Sequence, residues 1–219
     1  SRYQTDLFGR LQGTSRWLTI TTFGSKELIE KEAARVNAMH SKVSGEFKDK
    51  ADRISEYKAS EPKFLLWVHC AFTESFLEAH KICKYSMKNS ADEYVGQWSK
   101  SAVPLGLEQT PKSEVELKLE IARFMKQELT FSKETAEVIE FILNPPFGPI
   151  SLFFYRALAK TAVRSLSESE RDLLKLKMPA KIWEYLARFN LWVLRKALGP
   201  YSPAHIAAVN RNQRLKIGS

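Results

Sequence analysis

Apolar positions along this chain recur mainly at three- and four-residue spacing, the period of one helix face. Ile29, Ala33, Val36 and Val43 form such a stripe, and His40 falls within it. Ser25 is a natural N-cap for the helix carrying the stripe and Gly45 a natural stop, so the pattern predicts one helix between them. Upstream, Arg10, Thr14, Trp17 and Thr21 share a face of a helix expected from Thr5 to about Thr22, closed by Gly24. Glu46 to Ala59 are charged and irregular and read as a connection. Beyond it, Pro62 suits the first turn of a helix that runs through Phe64-Leu65-Leu66-Trp67-Val68-His69-Cys70 to about Tyr85, apolar on most sides and therefore central.

Capping residues punctuate the remainder. Ser90 opens a short helix that ends before Pro104, Ser113 and Ser132 open two more, and Asn144-Pro145-Pro146 stops the second of these. Further helices are expected at Ile150–Ser165, Ser167–Leu176, Pro179–Leu198 and Ser202–Asn212. Strand alternation is nearly absent. The pattern predicts an all-α fold of eight or nine helices, and 219 residues at 44% hydrophobic suffice for a single domain spanning 1–219.

Charge divides the chain unevenly. From Ile150 onward there are 13 Lys and Arg against 4 Asp and Glu, whereas the first 149 residues hold 21 of each sign. Such a basic third suits nucleic acid, an anionic membrane surface, an acidic partner or simply solvated helix faces. Cys70 and Cys83 fall on one expected helix roughly 20 Å apart at 1.5 Å per residue, too far to pair, which favours a reducing, cytoplasmic setting. No apolar run reaches the length of a membrane span. The chain opens on Ser1 and not Met, as expected of a processed or trimmed sequence.

Candidate chemistry rests on histidines. His40, His69 and His80 lie on or near inward faces, and His205 is peripheral. A zinc helix, a Cys-x-x-Cys pair, a phosphate-binding glycine loop and a Gly-x-Ser-x-Gly elbow are all missing from the sequence. An aromatic-rich helical core with single inward imidazoles remains, and such a core suits heme, whose iron takes four nitrogens from the porphyrin and asks the protein for one. A hydrogen-bonded core histidine is the competing reading.

Four short motifs, taken in order, resemble the MpaB and rubber-oxygenase (latex-clearing protein) family. They are Arg10-Leu11-Gln12-Gly13-Thr14, then His40-Ser41-Lys42-Val43-Ser44-Gly45, then Tyr57-Lys58-Ala59 followed by Pro62, then Trp67-Val68-His69. The later Pro104-Leu105-Gly106 and Asn144-Pro145-Pro146 fit the same pattern, and the resemblance spans about Gly9 to Pro146. It implies a globin-like helical fold with a pocket for heme b, and His40 as the axial ligand of the iron. Arg10 and Thr14 match positions required near the heme; they would polarise dioxygen or anchor a heme propionate. An arginine paired with a neighbouring carboxylate and a threonine back-bonded to its own helix is the alternative for these two. His69 matches the second family histidine, a pocket residue or a core histidine, while Trp67 is expected to pack the core.

Two departures stand out. Rubber-cleaving members carry a lysine directly before the threonine, where this chain has Gly13, and an acidic residue well upstream of the arginine, where only nine residues precede Arg10. Fungal relatives are membrane-anchored and rubber-cleaving ones secreted; neither address is visible. The resemblance implies a heme-dependent oxygenase acting with dioxygen on an apolar, isoprenoid-like small molecule, with no nucleic-acid partner. Two alternatives stay open: a heme-fold protein with a dehydratase-like or sensing role, and a helical ligand-responsive DNA-binding regulator suggested by the basic third. Against the second, such regulators commonly place the basic helix-turn-helix first, whereas here the basic excess comes last and Arg188, Arg195 and Lys196 alternate with aromatics such as Trp192.

Overall fold

The computed structural model describes residues 7–217, residue 52 excepted. The described residues form ten α-helices and one antiparallel hairpin: α1 (Leu7–Phe23), α2 (Lys26–His40), β1 (Ser44–Lys48), β2 (Ile54–Lys58), α3 (Pro62–Cys83), α4 (Ala91–Trp98), α5 (Glu114–Gln127), α6 (Lys133–Leu143), α7 (Pro149–Ser165), α8 (Glu168–Leu173), α9 (Ile182–Leu198) and α10 (Pro203–Ile217). Two 3-10 turns, Ser99–Ser101 and Val103–Leu105, follow α4. The helical class is the one the apolar spacing predicts. The expected start of the first helix at Thr5 lies outside the described residues.

Serine caps set most boundaries. Ser25, Ser90, Ser113, Ser132 and Ser167 each accept a backbone N–H in the first turn of the helix they open. Ser90 with Glu93 and Ser167 with Glu170 complete reciprocal capping boxes. The left-handed backbone of Lys84 at φ 56° ends α3.

α3 is the centre of the molecule. Its Cys70 and Leu77 form a buried cluster with Val95 of α4 and with Leu117 and Ile121 of α5. Nearer its start, Leu65 packs with Ala102 and Leu107 around the 3-10 turns. Trp67 meets Phe124 of α5 at 5.2 Å between ring centroids, so it packs the core as expected. α7 and α9 pack against one another and against α3. They are joined by the Glu184 carboxylate, which accepts from Arg164 at 2.7 Å and from Arg188 at 2.8 Å.

The ten helices among the described residues exceed the eight or nine expected, and three further expectations need correction. α2 ends at His40 and not at Gly45, because Val43 leaves the helix to pair: the Ala59 N–H donates to its carbonyl at 2.9 Å. The supposed irregular connection is the β1–β2 hairpin, in which Gly45, Phe47, Ser55 and Tyr57 turn partly inward while their neighbours face solvent. Its charged outward positions mask the two-residue period. The Asp49 carboxylate holds the tip by accepting the N–H groups of Ala51 and Arg53, and the neighbouring Lys50 ammonium donates to the carbonyls of Met125 and Lys126 at the end of α5. Lastly, α9 begins at Ile182 rather than Pro179, and α10 continues past Asn212 to Ile217.

Candidate functional site

The first two helices are tied by a buried carboxylate. Glu32 of α2 is 1% exposed and accepts from Arg16 Nε of α1 at 3.0 Å, from Arg35 Nε at 2.9 Å and from the Arg35 terminal amino group at 2.6 Å. The Arg35 hydrogen bonds, joined by that of Arg16, hold its carboxyl below the ordinary range against the cost of burial. α1 carries Arg10 and Thr14, and α2 ends on His40, so this bridge sets the two candidate-bearing helices against each other.

His40 is the last residue of α2 and is half-buried. Its Nδ1 is fully enclosed without a hydrogen-bond partner, and burial pushes the ring's pKa down. The ring is therefore a neutral imidazole at neutral pH, the form that ligates a metal. His69 lies in the first half of α3 and is buried; burial lowers its pKa to about 4. Both flank one structural element. Asn37, one turn before His40, donates to the Pro104 carbonyl at 3.5 Å, and Leu65, one turn before His69, packs with Ala102 and Leu107 on either side of that turn.

Thr14 is half-buried on α1, and its hydroxyl has no hydrogen-bond partner among the described residues. It thus differs from Thr21 and Thr22, which donate to carbonyls one turn back at 2.7 Å. Arg10 belongs to α1, but its side chain lies outside the described residues. Gly13, which stands where rubber-cleaving members carry lysine, faces open space: a Cβ there meets nothing within 4 Å.

The motif residues Gly45 and Tyr57 are cross-strand partners. A Cβ on Gly45 would sit 2.8 Å from Tyr57 Cε1, so glycine is what lets this ring lie across β1. Tyr57 then meets Phe47 and Phe64 edge to face at 6.2 and 5.6 Å. Two of the four motifs therefore meet in one aromatic cluster beside the start of α3, where they build the support of the histidine-bearing elements.

A cleft of about 840 Å³ opens next to these elements, walled by the second half of α1, the second half of α3, α4 and Leu191 of α9. None of Thr14, His40 and His69 lines it; His80 does. The sequence shows His80 as an inward histidine without placing it in a site. Its signal is the spacing Phe76, Ala79, His80, Cys83 on one face of α3. His80 packs edge-on against Tyr94 at 5.9 Å, Phe76 edge-on against Trp98 at 5.6 Å, and burial raises the pKa of Tyr94 and of the Cys83 thiol. His205 stacks on Tyr201 and meets Phe23 of α1 edge-on.

Among the described residues no group of three or more His, Cys, Asp and Glu side chains stands where it would hold a metal ion. Iron held by a porphyrin makes a smaller demand, one neutral imidazole. His40, with its enclosed unpartnered nitrogen and depressed pKa, has that donor chemistry.

A helical protein in which burial lowers the pKa of two imidazoles, His40 at the end of one helix and His69 within another, with a separate, largely apolar cleft, is the class these features define. The chain belongs to the family described as ER-bound oxygenase mpaB/B'/Rubber oxygenase, catalytic domain, whose model matches residues 1–199. It is thus an oxygenase-family domain. No curated protein and no solved structure matches it. Among the described residues no helix is long and apolar enough to cross a membrane.

Proposed function

We propose that this chain is a single-domain, heme b-dependent oxygenase in which His40 is the axial ligand of the iron and an apolar small molecule is the substrate. The observation that carries the reading is the enclosed, unpartnered Nδ1 of His40, whose pKa burial lowers, at a position that resembles the family's histidine motif. Bound heme supplies redox chemistry toward dioxygen. The work of the chain is to hold and shield. Helix α2 presents the imidazole, the Glu32 bridge ties α1 to α2, and Thr14 offers an unengaged hydroxyl as a donor to an oxygen atom. Arg10, one turn before Thr14, adds a cation for a propionate or for developing negative charge. His69, neutral and buried, shapes the pocket wall without competing for a proton.

The aromatic content of the chain, 11%, and the family's oxygenase character support an apolar substrate; an isoprenoid-like double bond is the reacting group in this reading. Two free cysteines, one of them buried, accord with a cytoplasmic setting. The test is oxygen uptake by the heme-supplied protein with isoprenoid substrates. Substrate-dependent uptake that Thr14→Ala and Arg10→Ala reduce by about 10²-fold or more supports the reading. Heme binding without any substrate-coupled uptake would overturn the oxygenase in favour of a non-oxidative or sensing role.

A further inference from the structure

The cleft beside His80 lies outside the machinery named above, and its wall has an uneven chemistry. Leu18, Phe23, Ile29, Phe76 and Leu191 give it a largely apolar lining. Lys100 is the one charged residue on that wall among the described residues, and it has no carboxylate partner there. Two polar groups on the same wall are also unanswered. His80 Nδ1 and Trp98 Nε1 are both enclosed with no hydrogen-bond partner, a costly state for a buried polar atom. A half-turn of the His80 ring exchanges its Nδ1 with a carbon at no change in shape. By contrast, the hydroxyls of Thr21, Thr22 and Ser101 are already donated to backbone carbonyls.

We infer that this cleft binds an amphipathic monoanion, an extended hydrocarbon ending in a carboxylate. The hydrocarbon lies along the apolar residues of α1 and α3, and the carboxylate is met by the exposed Lys100 ammonium. A volume of about 840 Å³ is within the range of small-molecule sites, and a wall with one cation and no acid, in a chain of net charge +9, selects an anion over a cation. Position adds a consequence. Leu18, the first wall residue on α1, stands one helical turn, about 6 Å, beyond Thr14, which brings that end of the cleft within a turn of the residue assigned to oxygen chemistry. That last step rests on the proposed oxygenase reading; the binding itself does not.

Oleate and its methyl ester are the probes, titrated calorimetrically below their aggregation concentrations into the full chain after heme supply, with the heme spectrum recorded on the same sample. Saturable binding of one oleate is expected, with the ester at least tenfold weaker. Lys100→Gln, an exposed substitution that the fold tolerates, should bring oleate down to the ester's affinity and leave the ester unchanged. Ala79→Trp, which fills the cleft, should abolish both. Absence of saturable oleate binding, equal affinities for acid and ester, or an acid preference that survives Lys100→Gln each overturns the inference. If Ala79→Trp does not fold, the Lys100 comparison still decides. A chain that binds oleate but takes up no heme keeps this site and refutes the heme assignment; the opposite result refutes this site alone.

Discussion

Neutralising Glu32 probes the joint between the two helices that carry the proposed heme residues. Glu32→Gln keeps the shape of the side chain and removes its charge, so three charge-assisted hydrogen bonds at 2.6, 2.9 and 3.0 Å lose their ionic partner. Hydrogen bonds to charged groups contribute about 1.5–3 kcal/mol each. The arginines limit the sum, because Arg16 and Arg35 are 57% and 42% exposed and recover water when released. A net loss of about 2 kcal/mol follows, which for a domain of this size lowers the thermal midpoint by about 4–8 °C.

Acid sensitivity gives an independent check on the same carboxylate. Its folded pKa is held below 4.5, first by Arg35, so its contribution is present above that value and disappears as pH falls through the folded value. Thermal scans from neutral pH down to about pH 3 should therefore show a steeper loss for the wild type than for Glu32→Gln, the two converging at the acid end. On the proposed heme reading, heme affinity should fall with the joint, since α1 is then no longer tied to α2. Midpoints within about 1 °C of each other at neutral pH, or parallel pH profiles, would refute the role given to this carboxylate.

Gly45→Ala forces its Cβ against Tyr57 and should cost about 1–3 kcal/mol by overpacking, read as a lowered midpoint that Gly45→Ala with Tyr57→Leu partly restores. Glu74 carries the opposite pH dependence to Glu32. Burial, followed by Glu170, raises its pKa to about 8, so the folded state holds a proton that the unfolded chain releases near 4.5, and stability falls as pH rises between these values. Glu74→Gln should flatten that decline, and an unchanged slope in denaturant titrations across the interval would count against it. Thiol titration with an aromatic disulfide should modify Cys83 slowly, and more slowly still with oleate bound. Cys70, fully buried with its thiol pushed up to about 12, should stay unmodified until the protein unfolds.

The helices of this chain are legible because capping serines and apolar spacing agree, from Ser25 through Ser90, Ser113 and Ser132 to Ser167. The hairpin is not, because half of its alternating positions are Glu, Lys and Ser that resemble a solvated loop, and its pairing depends on Val43 leaving a helix that propensity alone would extend. The burial of His40 and His69 follows from the helix period. The cleft does not, because its wall brings together Leu18, His80, Trp98 and Leu191 from four elements far apart in the chain. Glu32 shows the same limit: a carboxylate between Lys31 and Ala33 looks like a surface residue until the arginine of another helix is seen beside it.

The absorption spectrum of the heme-supplied protein, compared across three chains, tests the central claim most directly. Wild type and His80→Ala should show the same Soret band at one heme per chain, and His40→Ala should lose it, with added imidazole restoring the band. A wild-type spectrum in His40→Ala, or its loss in His80→Ala instead, would contradict the assignment of the iron to the end of α2.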